Sequence, residues 1–255
     1  MGRLYSPTGC PTLDKLCGGG VPHESIIYIY GGPGLGKTTI ALNMVKAMGA
    51  GVWVDASHSL VHSYAGFEGS EDMTIIHPTE EHDLKAYLPL IGATPIIVID
   101  DLTALSDNLA KPLQTFIRKA KELLPGSGTT LLLTNQVRQC RNGQLPPGGL
   151  SYTKYSDLVL ELGPRHKRVG DVLTVDISIV RSTVGPCQGV RTLPFRHGLY
   201  KVQDIITTAI RLGVIKQAGS WYEYKGSRVH GIERLELSLE QATINDIYEE
   251  VMQCS

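Results

Sequence analysis

Gly31-Gly32-Pro33-Gly34-Leu35-Gly36-Lys37-Thr38 is the stretch on which the reading of this chain turns. It satisfies G-x-x-x-x-G-K-[ST], and its flanks are those the motif demands, an apolar strand pattern at 26–30 and an amphipathic helix pattern at 37–48. Ile40, Ala41, Met44, Val45 and Met48 fall on one face of that helix. Glycines let the backbone wrap a run of phosphates with successive N–H groups pointing inward. The helix adds its positive end. Lys37 reaches the β- and γ-phosphates, and Thr38 supplies a hydroxyl to Mg2+. Gly32, Pro33, Gly34, Leu35, Gly36, Lys37, Thr38 and Thr39 are therefore the expected cradle of a nucleoside triphosphate.

A second element belongs with this loop. Pro95-Ile96-Ile97-Val98-Ile99-Asp100-Asp101 is an apolar strand ending in carboxylates. A parallel strand delivers its carboxyl end to the same sheet edge as the loop, so Asp100 is placed to hold a Mg2+-bound water. Residues 52–54, 131–133 and 158–162 read as further buried strands, and 80–90 and 107–124 as helices, with Pro112 in the first turn of the latter. Alternation of this kind implies an α/β fold with a mostly parallel sheet covered on both sides. After Gly163 the pattern changes. The basic turn 164–170 joins strands 158–162 and 172–180 as an antiparallel hairpin, and from Lys201 helices dominate, with an S-x-x-Q capping box at Ser238 and Gln241. The expected division is an ATP-binding core over residues 1–200 and a small α+β domain over 201–255.

Composition narrows the class. The 255 residues are 42% hydrophobic, 19% charged and 6% aromatic, as in a globular chain of one large domain with or without an appendage. A net charge of −1 excludes a globally basic nucleic-acid coat protein. Charge is unevenly spread, however: residues 51–110 carry ten acids and one base, and residues 136–168 carry six bases and two acids. That contrast fits either two solvated faces or a metal–nucleotide half beside a polyanion-facing half. Cys10, Cys17, Cys140, Cys187 and Cys254 are odd in number and never spaced C-x-x-C, which fits a reducing cytoplasm better than a disulfide framework. With no apolar run of 18 residues and no basic-then-apolar leader, the expectation is a cytoplasmic protein without a membrane partner.

The order of motifs resembles the bacterial RecA recombinases and their relatives. The lead-in from Thr8 to Pro22, Val54-Asp55-Ala56-Ser57-His58-Ser59-Leu60, Leu131-Leu132-Leu133-Thr134-Asn135-Gln136-Val137-Arg138, Gly198-Leu199-Tyr200 and Ala218-Gly219-Ser220-Trp221-Tyr222-Glu223-Tyr224-Lys225-Gly226 are each similar to that family's segments. The resemblance implies a RecA-like P-loop NTPase core, with ATP and Mg2+ as cofactors. It implies that Tyr64 stacks on the adenine and that Gln136 senses the γ-phosphate. It also implies that residues 137–149 contact single-stranded DNA, with Arg138, Arg141 and Lys154 as the candidate DNA-binding side chains. In that loop the glycines and prolines predict an irregular, mobile segment.

Departures from the family pattern matter as much. The family's water-polarising glutamate falls on Ser57, which has no proton-accepting side chain of its own; His58, Asp55 and Asp101 remain as substitutes. The paired lysines that act across the subunit boundary fall on Arg181 and Thr183. The family's first DNA loop looks curtailed between Ala104 and Leu113. Its helical N-terminal domain has no counterpart before Leu4, so weak or DNA-templated association is expected in place of long stable filaments. The resulting expectation is an ATP/Mg2+-dependent single-stranded-DNA-binding protein of homologous recombination and repair. Lys37, Asp100, Gln136 and Arg181 are its catalytic set, its ATPase is weak, and its partners include other recombination or replication proteins. The alternatives are a non-hydrolysing accessory factor that uses ATP as a switch and a metal-dependent nuclease built on Asp55, Asp100 and Asp101.

Weaker signals stand apart from these. His58 and His62 have the i,i+4 spacing of a metal pair, or of an exposed helical pair. Arg165-His166-Lys167-Arg168 reads as a nucleic-acid contact or a solvated hairpin tip. Trp221, Tyr222 and Tyr224 read as anchors of the small domain, or as stacking platforms for bases.

Overall fold

The computed structural model describes residues 3–58, 60, 72–78, 84–105, 110–140, 143–145, 153–169, 171–185 and 190–254. In chain order its first elements are β1 (Tyr5–Ser6), α1 (Pro11–Cys17), β2 (Val21–Pro22), β3 (Ile26–Gly31), α2 (Lys37–Met48), β4 (Gly51–Asp55) and β5 (Met73–Ile76). Then follow a 3-10 helix at Leu84–Leu90, β6 (Ile96–Asp100), α3 (Leu102–Leu105), α4 (Ala110–Leu123) and β7 (Thr130–Gln136). After these come β8 (Arg138–Cys140), β9 (Gly143–Leu145), β10 (Leu158–Val169), β11 (Val172–Ser182) and β12 (Val190–Phe195). The chain ends with α5 (Lys201–Leu212), β13 (Lys216–Ala218), β14 (Trp221–Tyr224), β15 (Ser227–His230), α6 (Ile232–Ser238) and α7 (Gln241–Gln253).

Eight strands form the main sheet in the order β12-β11-β10-β3-β7-β6-β4-β5. Every pair from β10 to β5 is parallel, and β10, β11 and β12 are joined antiparallel. This is the mostly parallel α/β core, covered on both sides, that the alternating pattern implied. The apolar runs of β3, β6 and β7 are needed because both faces are covered. Ile27 and Ile29 pack with Leu13, Ile40, Met44 and Trp53 on one face, whereas Ile26 and Tyr28 pack with Leu113, Phe116 and Ile117 on the other. A period of two thus divides one strand between two cores.

Residues 205–251 build a third apolar cluster, with Ile206, Ala209, Ile215, Tyr222, Ile247 and Val251 inside it. Polar bonds tie this cluster to α1. The Tyr248 hydroxyl donates to Asp14 Oδ2 at 2.8 Å, and the Thr12 amide donates to Asp204 Oδ2 at 2.8 Å.

Three local expectations change. Strands β10 and β11 pair through the basic segment up to Val169 opposite Val172, so residues 164–169 belong to a hairpin arm. A register shift between Leu162 and His166 lets Pro164 sit there without donating to the ladder. The Ser238–Gln241 capping box does not form. Ser238 ends α6 and donates to the Leu235 carbonyl at 2.8 Å, and Glu240 caps α7 without a side-chain bond. Of the expected helix at 80–90, residues 84–90 form a 3-10 helix, and 80–83 lie outside the described residues.

Candidate functional site

Sheet register brings the expected residues to one edge. Gly31 pairs with Gln136 on β7 and with Leu162 on β10, while Asp55 on β4 pairs with Asp100 on β6. The carboxyl ends of β3, β4, β6 and β7 therefore meet where α2 begins, the place where open α/β sheets bind ligands. A cleft of about 240 Å3 lies there, lined by Pro33, Gly34, Gly36, Lys37, Thr38, Thr39, Ser57, Asp100, Asp101 and Gln136.

Two glycines of the loop have backbone reasons to be glycine. Gly34 and Gly36 have φ of +72° and +89°, and a Cβ on Gly36 would come within 2.6 Å of the Phe195 ring. Leu35 does not line the cleft: its side chain is buried in the core beneath, so it anchors the loop and offers only its backbone to a phosphate. Gly32 contributes its carbonyl, which accepts from Lys37 Nζ at 2.9 Å, as does that of Gly31 at 3.2 Å. Burial lowers the Lys37 ammonium below its ordinary pKa, and the nearby Asp101 and Asp100 carboxylates oppose that shift.

Thr38 Oγ1 donates to Asp100 Oδ2 at 2.9 Å, and Thr134 Oγ1 donates to Asp100 Oδ1. Burial raises the Asp100 carboxyl; the Thr134 and Thr38 bonds pull it down, and Asp101 raises it further. A hydroxyl and a carboxylate in direct contact are the hard oxygen donors that Mg2+ accepts, together with waters and phosphate oxygens. Thr134 had no separate signal in the sequence beyond lying one residue before Asn135-Gln136.

Asp101 follows Asp100 through a cis peptide bond. Its Oδ1 accepts from the Thr103 amide at 2.8 Å and the Thr103 hydroxyl at 2.6 Å, as an N-cap of α3 does. Its Oδ2 is buried and has no hydrogen-bond partner among the described residues. Ser57 also faces the cleft, its Oγ donating to Asp55 Oδ1 at 3.4 Å. Asp55 Oδ2 accepts from the Leu60 amide at 3.0 Å and lies 3.7 Å from His77 Nδ1. His58 stacks on His77 with ring centroids 5.2 Å apart and does not line the cleft.

Other expected residues lie elsewhere. Arg181 Nη1 donates to the Lys154 carbonyl at 2.6 Å, away from the cleft, and Thr183 Oγ1 donates to Asp157 Oδ1 at 3.0 Å. The Lys154 side chain is exposed. Arg138 opens β8, which pairs with β9, so part of the loop expected to be irregular forms a short hairpin. Tyr64, His62 and Arg141 lie outside the described residues.

Known proteins resemble this chain over most of its length. The family model of the RecA N-terminal domain matches residues 5–181. RecA of Aquifex pyrophilus is 32% identical, with 88% of this chain and 74% of that protein aligned. RecA of Aquifex aeolicus is 31% identical over 92% and 79%, and RecA of Lactobacillus acidophilus 30% identical over 97% and 77%. A match over most of the chain, together with a phosphate loop, an acidic strand end and a glutamine converging on one cleft, means that this chain belongs to the RecA family.

Proposed function

We propose that this protein binds ATP and Mg2+ in the cleft at Gly32–Thr39 and, in that state, binds single-stranded DNA in homologous recombination and repair. The observation that carries the reading is the convergence of Lys37, Thr38, Asp100 and Gln136 on one cleft, with Gln136 leading directly into residues 137–149. Lys37 neutralises phosphate charge, and Thr38 with Asp100 holds Mg2+, which offsets charge on the β- and γ-phosphates. Gln136 is the last residue of β7, so a side chain that contacts the γ-phosphate passes its position to the DNA-facing segment. Tyr64 is assigned to the adenine, and Arg138, Arg141 and Lys154 to DNA phosphates. A core over 1–200 and a C-terminal domain over 201–255 is the division proposed, supported by the separate apolar cluster of residues 205–251.

Hydrolysis is slow on this reading, because Ser57 stands where the family's glutamate falls. The same residue supports a second reading, in which ATP is a switch that is bound and released without efficient turnover. Arg181 and Thr183 are engaged within the chain, which supports weak or DNA-templated association.

One assay tests the proposal: ATP hydrolysis with and without single-stranded DNA, wild type beside Lys37→Ala and Ser57→Glu. Turnover above the Lys37→Ala level that rises with DNA supports the enzyme. Nucleotide-dependent DNA binding with turnover at the Lys37→Ala level leaves the switch. No nucleotide-dependent DNA binding ends both readings.

A further inference from the structure

We propose that Thr134 is a positioning residue for Mg2+: its hydroxyl holds the Asp100 carboxylate in the orientation in which Asp100 and Thr38 receive the cation. This role rests on the ATP·Mg2+ reading above and adds to it a residue outside the cleft. Thr134 pairs with Ile29 of β3 and is fully buried. By the period of two it faces the same side of the sheet as Leu132, which packs with Ile27, Ile29, Val98 and Met44. Such surroundings suit an apolar β-branched residue at least as well as threonine. A hydroxyl buried there costs free energy unless it is bonded. The Thr134 hydroxyl donates to Asp100 Oδ1. Packing therefore accounts for the shape of Thr134, and the carboxylate accounts for its oxygen.

Asp100 accepts one threonine on each oxygen, Thr134 on Oδ1 from the neighbouring strand and Thr38 on Oδ2 from the first turn of α2. The two bonds together fix the plane of the carboxylate between β6 and the phosphate loop. Thr38 donates its proton to Asp100, so the lone pairs of its Oγ1 stay available to a cation. Thr38 and Asp100 line the cleft and Thr134 does not, so Thr134 acts through Asp100 and is no ligand itself. Mg2+ tolerates little departure from octahedral oxygen geometry. Removing a partner that orients a metal ligand typically lowers metal affinity by about 10–100-fold. Without the Thr134 hydroxyl, Oδ1 loses its donor, and the carboxylate is free to turn away from Thr38.

The test compares wild type with Thr134→Val, which keeps the shape and removes the hydroxyl, and Thr134→Ser, which keeps the hydroxyl and removes the methyl. Binding of fluorescent N-methylanthraniloyl-ATP is measured in EDTA and then against rising Mg2+, and thermal unfolding without ligand reads stability. In EDTA the three are expected to bind within about threefold of one another, the precision to which a residue outside the cleft leaves nucleotide contacts alone. The Mg2+ concentration that gives half the enhancement of binding is expected to rise at least about tenfold in Thr134→Val and less than about threefold in Thr134→Ser. A role in packing alone predicts the reverse order, because serine is the variant that leaves a cavity. Should Thr134→Val not fold, Thr134→Ala beside Thr134→Ser makes the same comparison, since those two differ by the hydroxyl alone. A rise in Thr134→Val no larger than that in Thr134→Ser overturns the assignment and leaves the function standing. So does a loss of affinity in Thr134→Val that is as large in EDTA as with Mg2+. Wild-type nucleotide binding that does not respond to Mg2+ removes the Mg2+ site and the assignment together.

Discussion

The buried acids at the α1 junction and those at the nucleotide edge differ less in their hydrogen bonds than in the space beside them. At the junction between α1 and the C-terminal cluster, Asp14 is fully engaged. Thr8 donates through its amide and hydroxyl to Oδ1, and the Gly9 amide and Tyr248 hydroxyl donate to Oδ2. Its neighbour Asp204 accepts from the Thr12 amide and the Cys10 thiol through Oδ2 alone, and its buried Oδ1 has no hydrogen-bond partner among the described residues. At the nucleotide edge, Asp100 is held by two threonines, and Asp101, which also lines the cleft, keeps one buried oxygen unpaired among the described residues. Burial raises the pKa of Asp14, Asp204 and Asp100 alike. Burial therefore does not distinguish the two regions; the cleft that Asp100 and Asp101 line does.

The largest effect that sharpens this contrast is at the junction. Asp14→Ala leaves two amides and two hydroxyls without their acceptor, and each orphaned buried donor costs about 1–3 kcal/mol. The expected loss in denaturant unfolding is about 3 kcal/mol or more, with ATP·Mg2+ affinity unchanged. A loss under about 1 kcal/mol would make the junction as tolerant as a surface. Next in size is Asp100→Asn. Wild type at ligand near 100 times its Kd gains about 2.7 kcal/mol from binding. The variant is expected to lose most of that gain while its ligand-free stability stays within about 1 kcal/mol, because asparagine removes the repulsion with Asp101 as well as the attraction to Lys37. Thermal shifts with and without ATP·Mg2+ read both quantities.

A third test uses pH. Burial is the largest cause lifting the Asp204 carboxyl, with bonds from Thr12 and Cys10 opposing it. A folded-state pKa above the unfolded value means that its contribution is complete below about pH 3.9 and is lost as pH rises through the folded value. The stability of wild type relative to Asp204→Asn is therefore expected to fall on going from acid to neutral pH, by about 1.4 kcal/mol for each unit of lift. A difference that grows with pH would mean that the bonds, not burial, dominate.

How much of this was legible from residues alone follows from range. The strands at 26–30, 96–99 and 131–133 stood out because a central parallel strand must be apolar on both faces, and helix α2 was bounded by Gly36 and Gly49. The phosphate loop was legible for the same local reason. Strands β13–β15 were not, since Lys216–Ala218 is wholly exposed and carries no apolar alternation. The arm at 164–169 was missed because Pro164 and its basic neighbours read locally as a turn, whereas cross-strand pairing with β11 overrides that preference. Ser238 matched a capping box yet closed the helix before it. Which of Asp55, His58 and Asp101 faces the cleft depends on how β4 and β6 end, and nothing in the spacing of those residues reports it.

The smallest expected effect applies the same distinction to one strand. In β14, burial alternates: Trp221 and Glu223 point outward, and Tyr222 and Tyr224 point in. The sequence grouped all three aromatics as anchors or as stacking platforms, but Trp221 is 43% exposed. Its ring meets the edge of His230, centroids 4.9 Å apart, and the Arg228 guanidinium at 4.8 Å. An exposed cation–π contact contributes about 0.5–1 kcal/mol, and little apolar area is lost on truncation. Trp221→Ala is therefore expected to destabilise by less than about 1 kcal/mol. Tyr222→Ala, which empties a position packed among Ile206, Ile247 and Val251, is expected to cost about 3 kcal/mol. Chemical unfolding of the two variants beside wild type checks the ratio. Equal losses would mean that the outer face of β14 is as closed as the inner one, and that exposure at Trp221 is a poor guide to its role in holding the C-terminal cluster together.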